Sequence, residues 1–288
     1  MTDVMITVLG IACILTMWVM LYDSNRFVVR RLEICDRRII KSVRAIVLAD
    51  LHNKCYGKEN KMLLDAIREQ KPDVILIAGD ILTAQPGKTM EPAIHLLREL
   101  AGEFPVYYGN GNHEYRLKLY PQVYGNMAEE YGQALKDMGI EPLANSHVHL
   151  EECGITIFGA EIARDYYKRF KKSHMEEEYM RQLLGVPNNG CYIILLAHNP
   201  DYFPEYAQWG ADLTVAGHVH GGVIRIPLLN KGVISPSLRL FPKYDGGVFK
   251  EGEAVMLLSR GLGMHTIPIR LFNPAELWVV DFKAEEQQ

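Results

Sequence analysis

Seven candidate ligand side chains with nitrogen or oxygen donors, and His113 as an eighth polar neighbour, stand where apolar runs of this chain stop. RAIVLAD (44–50) leads into Asp50 and His52, and DVILIAGD (73–80) ends on Asp80. FPVYYGN (104–110) runs into GNHE, which holds Asn112 and His113. YIILLAH (192–198) ends on His198, and ADLTVAGH (211–218) ends in AGHVHGG with His218 and His220. Any one Asp, Asn or His at a strand end is an ordinary turn or cap residue, and in a chain with ten histidines two fall close together by chance. Five such strand ends carry more weight, because ligands of open α/β sheets lie beyond the carboxyl ends of the strands. Brought side by side, these groups are costly to bury unless a cation satisfies them. Seven ligands exceed the three or four that zinc takes. They suit two cations about 3.5–4 Å apart that share a carboxylate. Imidazole and carboxylate without thiolate favour Mn, Fe, Zn or Co, whereas calcium and magnesium avoid so much imidazole.

The elements that must position these groups follow from the pattern. The runs above, with GITIFGA (154–160), EAVMLLS (253–259) and ELWVVDF (276–282), are short, β-branched and bounded by Gly, Asp, Asn or Pro, as buried strands are. Helical spacing appears at 59–70, 92–100, 126–139 and 173–185, with Gly139 and Gly185 as stops. Parallel βαβ units come early and successive strands late, which calls for sheets with helices outside. No linker divides 45–288, which reads as one catalytic domain after a charged juxtamembrane connection at 23–44, where LEI is a candidate edge strand. In an extended chain residues i and i+2 share a face, so both rings of HVH are expected to reach one cleft, with glycine letting the backbone approach it.

The ordered series DLH, GD, GNHE, H and GHVH over residues 45–225 resembles the calcineurin-like metallophosphoesterase family, in particular its membrane-anchored branch. The resemblance implies an α/β (α+β) four-layer αββα sandwich of two mixed β-sheets flanked by helices. It implies that Asp50, His52 and His220 bind one of two divalent transition metal ions, that Asn112, His198 and His218 bind the other, and that Asp80 bridges them. His113 matches the family's catalytic histidine, with Asn112 beside it. One position departs: where the family usually has a second Asp three residues after GD, this chain has Thr83. What then orients His113 is left open.

The implied activity is hydrolysis of a phosphoester or pyrophosphate by a hydroxide generated at the two cations. His113, as an imidazolium, is expected to protonate the leaving oxygen, an effect of about 10²–10⁴-fold. Residues 162–185 interrupt the core between two strands; their front half mixes Arg164, Lys168, Arg169, Lys171 and Lys172 with Tyr166, Tyr167 and Phe170. That segment reads either as a solvated helix or as a cap that touches anionic headgroups. Arg260, His265 and Lys243 are candidate substrate contacts, with loop packing as the other reading, and Arg270 is a candidate partner for an acid or a phosphate. A phosphodiesterase acting on soluble nucleotides and a metal-bound scaffold without catalysis are the rival functions.

Bulk properties limit the partners. A formal charge of −4 is mild and gives no sign of a basic nucleic-acid-binding surface, so no nucleic acid is expected, and no obligate protein partner is evident. Five dispersed cysteines without a CxxC pair read as free thiols rather than a disulfide framework. Residues 4–22 carry no charge and have Trp18 and Tyr22 toward their second end. The start lacks the basic residues and the cleavage site of a signal peptide, so residues 1–22 read as a single-pass transmembrane anchor rather than a signal peptide or a buried core helix. Arg26, Arg30, Arg31, Arg37, Arg38, Lys41 and Arg44 follow it, and the positive-inside rule puts the domain in the cytoplasm. Anchor, basic aromatic segment and phosphoesterase chemistry together point to a membrane or lipid-linked substrate.

Overall fold

The structure is a computed structural model that describes residues 1–168, 172–229, 231–235, 238–264 and 268–285. Strands β1 (Phe27–Asp36), β2 (Val43–Leu48), β3 (Val74–Ala78) and β4 (Val106–Gly109) join the C-terminal strand β13 (Ala275–Ala284) in a mixed sheet of order β1-β13-β2-β3-β4. The second mixed sheet contains β5 (Ser146–Leu150), β6 (Ile155–Gly159), β7 (Tyr192–Leu196), β8 (Leu213–Ala216), β11 (Gly247–Glu251) and β12 (Ala254–Leu258) in the order β11-β12-β8-β7-β6-β5. Between β8 and β11 lies a small antiparallel pair, β9 (Arg225–Ile226) and β10 (Lys231–Gly232).

Alternation along the strands builds the layers. In β2, Ala45 and Val47 face the other sheet, where they pack with Leu76, Val280, Ile157, Ile194, Val215 and Leu257. Ile46 and Leu48 face the opposite way, onto Leu63 and Ile67 of helix α2 (Lys61–Glu69) and Leu96 and Leu97 of helix α3 (Glu91–Ala101). Ile193 and Leu195 of β7 likewise back onto Tyr202, Tyr206 and Trp209 on the outer side of the second sheet. Both faces of the central strands are covered, which is why they read as continuous apolar runs rather than as alternating ones.

Helix α1 (Thr2–Ser24) projects from this body; its most apolar window has a mean hydropathy of 2.5 and is 0% buried against the protein. Twenty-three residues rise about 35 Å, enough to cross a bilayer's hydrocarbon. The hydroxyls of Thr7 and Thr16 donate to the carbonyls of Asp3 and Ala12 one turn back, so neither polar group needs water. Trp18 and Tyr22 stack at 5.6 Å, and Arg26 lies over the Tyr22 ring.

Two expectations change. Residues 23–44 are largely not a connection: β1 pairs with β13 over ten residues, a full edge strand rather than the three-residue LEI. Among the described residues of 162–185 only Tyr179–Leu184 is α-helical, not 173–185. The Ser173 hydroxyl donates to Asp165 O, Ser173 O accepts from Tyr202 Oη, and Met175 is buried, so tertiary contacts hold that stretch away from helix. Arg169, Phe170 and Lys171 lie outside the described residues.

Candidate metal centre

The C-terminal ends of parallel strands β2, β3 and β4 in one sheet, and of β7 and β8 in the other, open onto one buried cleft. Backbone bonds stitch the loops together: Asp50 N donates to Gly79 O, His52 N to Asp80 O and Gly217 N to His198 O. Asp50, His52 and His220 form one triad of donor atoms, Asp80, His198 and His218 a second, and His52, Asp80 and His113 a third, each within 4.8 Å. Asp80 therefore stands between the sets. Asn112 and His113 open helix α4 (Asn112–Leu119), and the His113 N–H donates to Asp80 Oδ1 at 2.7 Å.

The separations fit cations. Metal–ligand bonds of about 2.0–2.2 Å place neighbouring ligand atoms about 2.8–3.6 Å apart. His52 Nε2 and His220 Nε2 are 3.1 Å apart, His198 Nε2 and Asp80 Oδ2 3.0 Å, and His220 Nε2 and Asp50 Oδ1 3.5 Å. Others are looser, such as His52 Nε2 to Asp80 Oδ2 at 3.8 Å. Asn112 Oδ1 is buried without a hydrogen-bond partner, a costly state that a cation would relieve. His198 Nδ1 sits 2.6 Å from Ala78 O, so Nδ1–H donates there and Nε2 faces the cleft. Carbonyl-oriented imidazoles of this kind are usual for metal ligands.

Electrostatics of the bare cluster agree. Burial pushes the Asp50 carboxyl up to about 7, against the pull of His198 and with further push from Asp80. Burial acts the same way on Asp80, but His198, His113 and His52 overcome it and hold that carboxyl well below its usual range. Burial lowers the His198 imidazole, yet Asp80 and Asp50 more than reverse this and raise it to about 10. A proton on His198 thus partly fills the role that a cation would fill.

The backbone around these groups is unusual. Asp50, His52, Asp80, His218 and His220 have φ of 51°, 50°, 54°, 72° and 51°. Left-handed backbone is uncommon outside glycine and persists where the surroundings over-determine it. This corrects the expectation for HVH: its rings do not reach the cleft by extended alternation. β8 stops at Ala216, and two left-handed residues turn His218 toward Asp80 and His220 toward Asp50. Gly217 is required by close approach, since a Cβ there would come within 2.4 Å of Asp50 Oδ2.

The question left by Thr83 has a backbone answer. Ala84 N–H donates to His113 Nδ1 at 2.8 Å, while Thr83 Oγ1 lies 3.4 Å from His52 Nδ1. A ring that accepts at Nδ1 is neutral and carries its proton on Nε2, and burial lowers the His113 pKa in the same sense. The imidazolium expected from the sequence would instead set two N–H groups against each other.

The sequence alone did not point to several residues around the cleft. Glu114 accepts from the N–H groups of Asp80, Ile81 and Gly111 and from Tyr108 Oη, which locks the Asp80 turn to the start of α4. Tyr167, already singled out with the 162–185 segment, packs its ring edge-on to His218 at 5.4 Å. Asn273 Nδ2 donates to His220 O. The candidate substrate contacts fare differently. Arg260 is buried and lies 3.3 Å from Glu276, Lys243 covers the Tyr244 ring at 4.7 Å, and His265 lies outside the described residues. Among the described residues Arg270 pairs with no acid; it is buried and donates to the carbonyls of Arg260, Gly261, Gly263 and Asn273.

Comparison with known proteins agrees with this geometry. The family model described as calcineurin-like phosphoesterase matches residues 43–222. A transmembrane protein with a metallophosphoesterase domain from Danio rerio is 26% identical over 248 residues, covering 83% of this chain and 52% of that protein, so the chain spans about half its length. The phosphodiesterase YaeI of Escherichia coli is 26% identical over 225 residues, 76% of this chain and 75% of that one. A UDP-2,3-diacylglucosamine pyrophosphatase of Chlamydia trachomatis is 20% identical over 284 residues, covering 83% of each.

Proposed function

The chain belongs to the calcineurin-like phosphoesterase family, and on that footing we propose that it hydrolyses a phosphoester or pyrophosphate bond of a membrane-associated substrate at a pair of divalent cations. The observation that carries this reading is the chain of donor triads, in which Asp80 belongs to two and His52 joins it to Asp50 and His220 in the other. Asp50, His52 and His220 would hold one cation, Asn112, His198 and His218 the other, and Asp80 both. Cations bound there would lower the pKa of a water molecule and offset the charge of the phosphoryl oxygens.

The chain's own groups do the rest. His113, held by Ala84 N–H, presents Nε2–H to the leaving oxygen and stabilises the charge that develops there by hydrogen bonding, without needing a second proton. Glu114 keeps Asp80 and Asn112 in register through its backbone acceptor bonds. Arg164, whose Nη1 donates to Tyr167 O, would meet substrate phosphate beside that ring. Helix α1 anchors the enzyme in a membrane, in keeping with the Danio rerio relative's name. A lipid-linked substrate is supported by the Chlamydia relative, named for a diacylated sugar nucleotide. The bases after α1 and five free cysteines favour the cytoplasmic side.

The test is elemental analysis of the purified full chain and turnover of bis-aryl and mono-aryl phosphates with manganese. Asp80→Asn is expected to lower both metal content and turnover at least tenfold. Protein that binds no transition metal, or that turns over neither ester under any divalent ion, refutes the proposal. Mass spectrometry of lipid extracts incubated with enzyme would then identify the substrate.

A further inference from the structure

Outside α1, where residues such as Ile40, Met62 and Val186 are exposed singly, one group of exposed apolar side chains stands out. Leu228, Leu229, Leu238, Leu240 and Phe241 stand on the excursion between β9 and β11, with Phe272 on the neighbouring loop, at exposures from 44% to 97%. Water-facing surfaces seldom collect so many large apolar groups unless a partner or a bilayer covers them.

The position of the patch selects the occupant. Ile224 bridges Leu271, Gly232 pairs with Arg225, Val233 N–H donates to Ile224 O, and Phe241 N–H donates to Val233 O. At about 4.8 Å per step, these segments span about 15 Å from Leu271 to Phe241. The loop is fastened to α1, since Asn273 N–H donates at 3.0 Å to Asp23 Oδ2 in the last turn of that helix. The patch is therefore continuous with the end of the segment that enters the membrane. Arg26, Lys54 and Lys243 add basic groups around it: Arg26 and Lys54 bond to Asp23 and Asn25, and Lys243 is exposed. Bases beside apolar side chains suit the headgroup layer.

The same excursion rests on the metal centre. A Cβ on Gly222 would come within 2.9 Å of Gly232 Cα, so the hairpin lies directly on the GHVHGG turn. Asn273, which holds Asp23 through its backbone, holds His220 O through its side chain.

We propose that Leu228, Leu229, Leu238, Leu240 and Phe241, together with Phe272, form a second membrane contact. It inserts apolar side chains into the leaflet that α1 enters and seats the cleft at headgroup level. The substrate class that follows is an amphiphile whose phosphoester reaches the cleft while its acyl chains stay in the bilayer. The inference rests on the anchored-phosphoesterase reading above, and the experiment separates the two.

Full-length protein carrying Trp18→Phe is reconstituted in phosphatidylcholine/phosphatidylglycerol nanodiscs, with Phe241→Trp, Leu228→Trp or, as a control, Val186→Trp. Val186 is exposed on a different surface segment. Lipids brominated on their acyl chains are expected to quench the added emission at 228 and 241 at least twofold and to leave that at 186 unchanged. No quenching at 228 and 241, or equal quenching at 186, overturns the membrane contact whatever the enzyme hydrolyses. In parallel, the combined Leu228→Ser, Leu229→Ser, Leu240→Ser, Phe241→Ser variant is assayed on soluble bis(p-nitrophenyl) phosphate and on a dialkylglycerol p-nitrophenyl phosphodiester embedded in the discs. Turnover of the soluble ester is expected within twofold of the parent, and that of the embedded ester at least tenfold lower. Equal loss on both esters, or on neither, overturns the seating of the cleft. A parent enzyme inert on both esters refutes the phosphoesterase reading, while the quenching result still decides the surface.

Discussion

Glu114 is the side chain on which the cleft's geometry can be tested most sharply. Its carboxylate is buried and accepts four bonds: Asp80 N and Gly111 N on Oε2, Ile81 N and Tyr108 Oη on Oε1, all between 2.8 and 2.9 Å. Glu114→Gln keeps the shape and replaces one oxygen by NH2. The amide does best with its nitrogen toward Ile81 and Tyr108, because the tyrosine hydroxyl can rotate and accept. One N–H, that of Ile81, is then left facing another donor, which costs about 1–3 kcal/mol. The remaining bonds lose charge assistance, about another 2 kcal/mol in sum. The total of about 3–5 kcal/mol corresponds to a melting point roughly 10 °C lower for a domain of this size. Tyr108→Phe removes a single bond and should cost about 1–2 kcal/mol. The measurement is thermal unfolding of the full chain in detergent with a chelator present, because bound metal would add stability of its own through linkage. A Glu114→Gln variant that melts within about 3 °C of the parent, or no lower than Tyr108→Phe, refutes the view that this carboxylate fastens the Asp80 turn to α4.

His113→Ala should retain metal by elemental analysis and hydrolyse an alkyl phosphoester about 10²–10³-fold more slowly, with a smaller loss on activated aryl esters, whose leaving oxygen needs less help; equal losses on both would refute a role at the leaving group. Arg38 bonds Asp36 and Asp212, tying the end of β1 to the second sheet, and its hydrogen bond holds Asp36 below the usual carboxylate range. A carboxyl lowered by folding stabilises above its ordinary value and loses that contribution as pH falls through the lowered one. Arg38→Ala should therefore melt about 2–4 °C lower at pH 7, about 1 kcal/mol after solvent screening, and converge with the parent at acid pH well below about 4; a constant gap at all pH values would contradict this. Cys35 and Cys55 are exposed in the domain, so in intact cells a membrane-impermeant maleimide should leave them unlabelled until the cells are lysed; labelling before lysis would place the domain outside.

Most of the layered core was legible because the central strands are apolar on both faces, as β3 and β7 show with every residue buried. Two edge strands were less so: β5 was not legible, and of β1 only LEI was. β5, SHVHL, is half exposed and polar at alternate positions, and β1 carries Arg30, Arg31 and Glu33 outward, so neither has an apolar run to detect. β1 is nevertheless fixed, by ten residues of pairing with β13 at the far end of the chain, a contact invisible to local pattern. At the site, residue type and order pointed to the seven candidate ligands. The geometry that brings them together depends on left-handed backbone at Asp50, His52, Asp80, His218 and His220, which no side-chain periodicity reports. Glu114 stood in the quoted GNHE, but its role shows only when its acceptors are seen to span two loops.

The bases that follow the anchor serve as both topology signal and structure. Arg26 pairs with Asp23, Arg30 with Glu276, Arg38 with Asp36 and Asp212, and Arg44 with Asp281. Folding alone therefore accounts for four of the seven, and they would be needed on either side of a membrane. Arg31, Arg37 and Lys41 lie on the exposed surface, where Lys41 meets Glu152 at 3.5 Å across two largely exposed side chains, a pairing worth little. The charge bias that bears on orientation thus narrows to about three residues, close to the lower end of what steers insertion. Neutralising Arg31, Arg37 and Lys41 together should leave the fold intact and still change the sidedness of Cys35 labelling in part of the molecules. If instead only loss of the paired arginines altered sidedness, the cytoplasmic placement would rest on folding of the domain before insertion and not on charge.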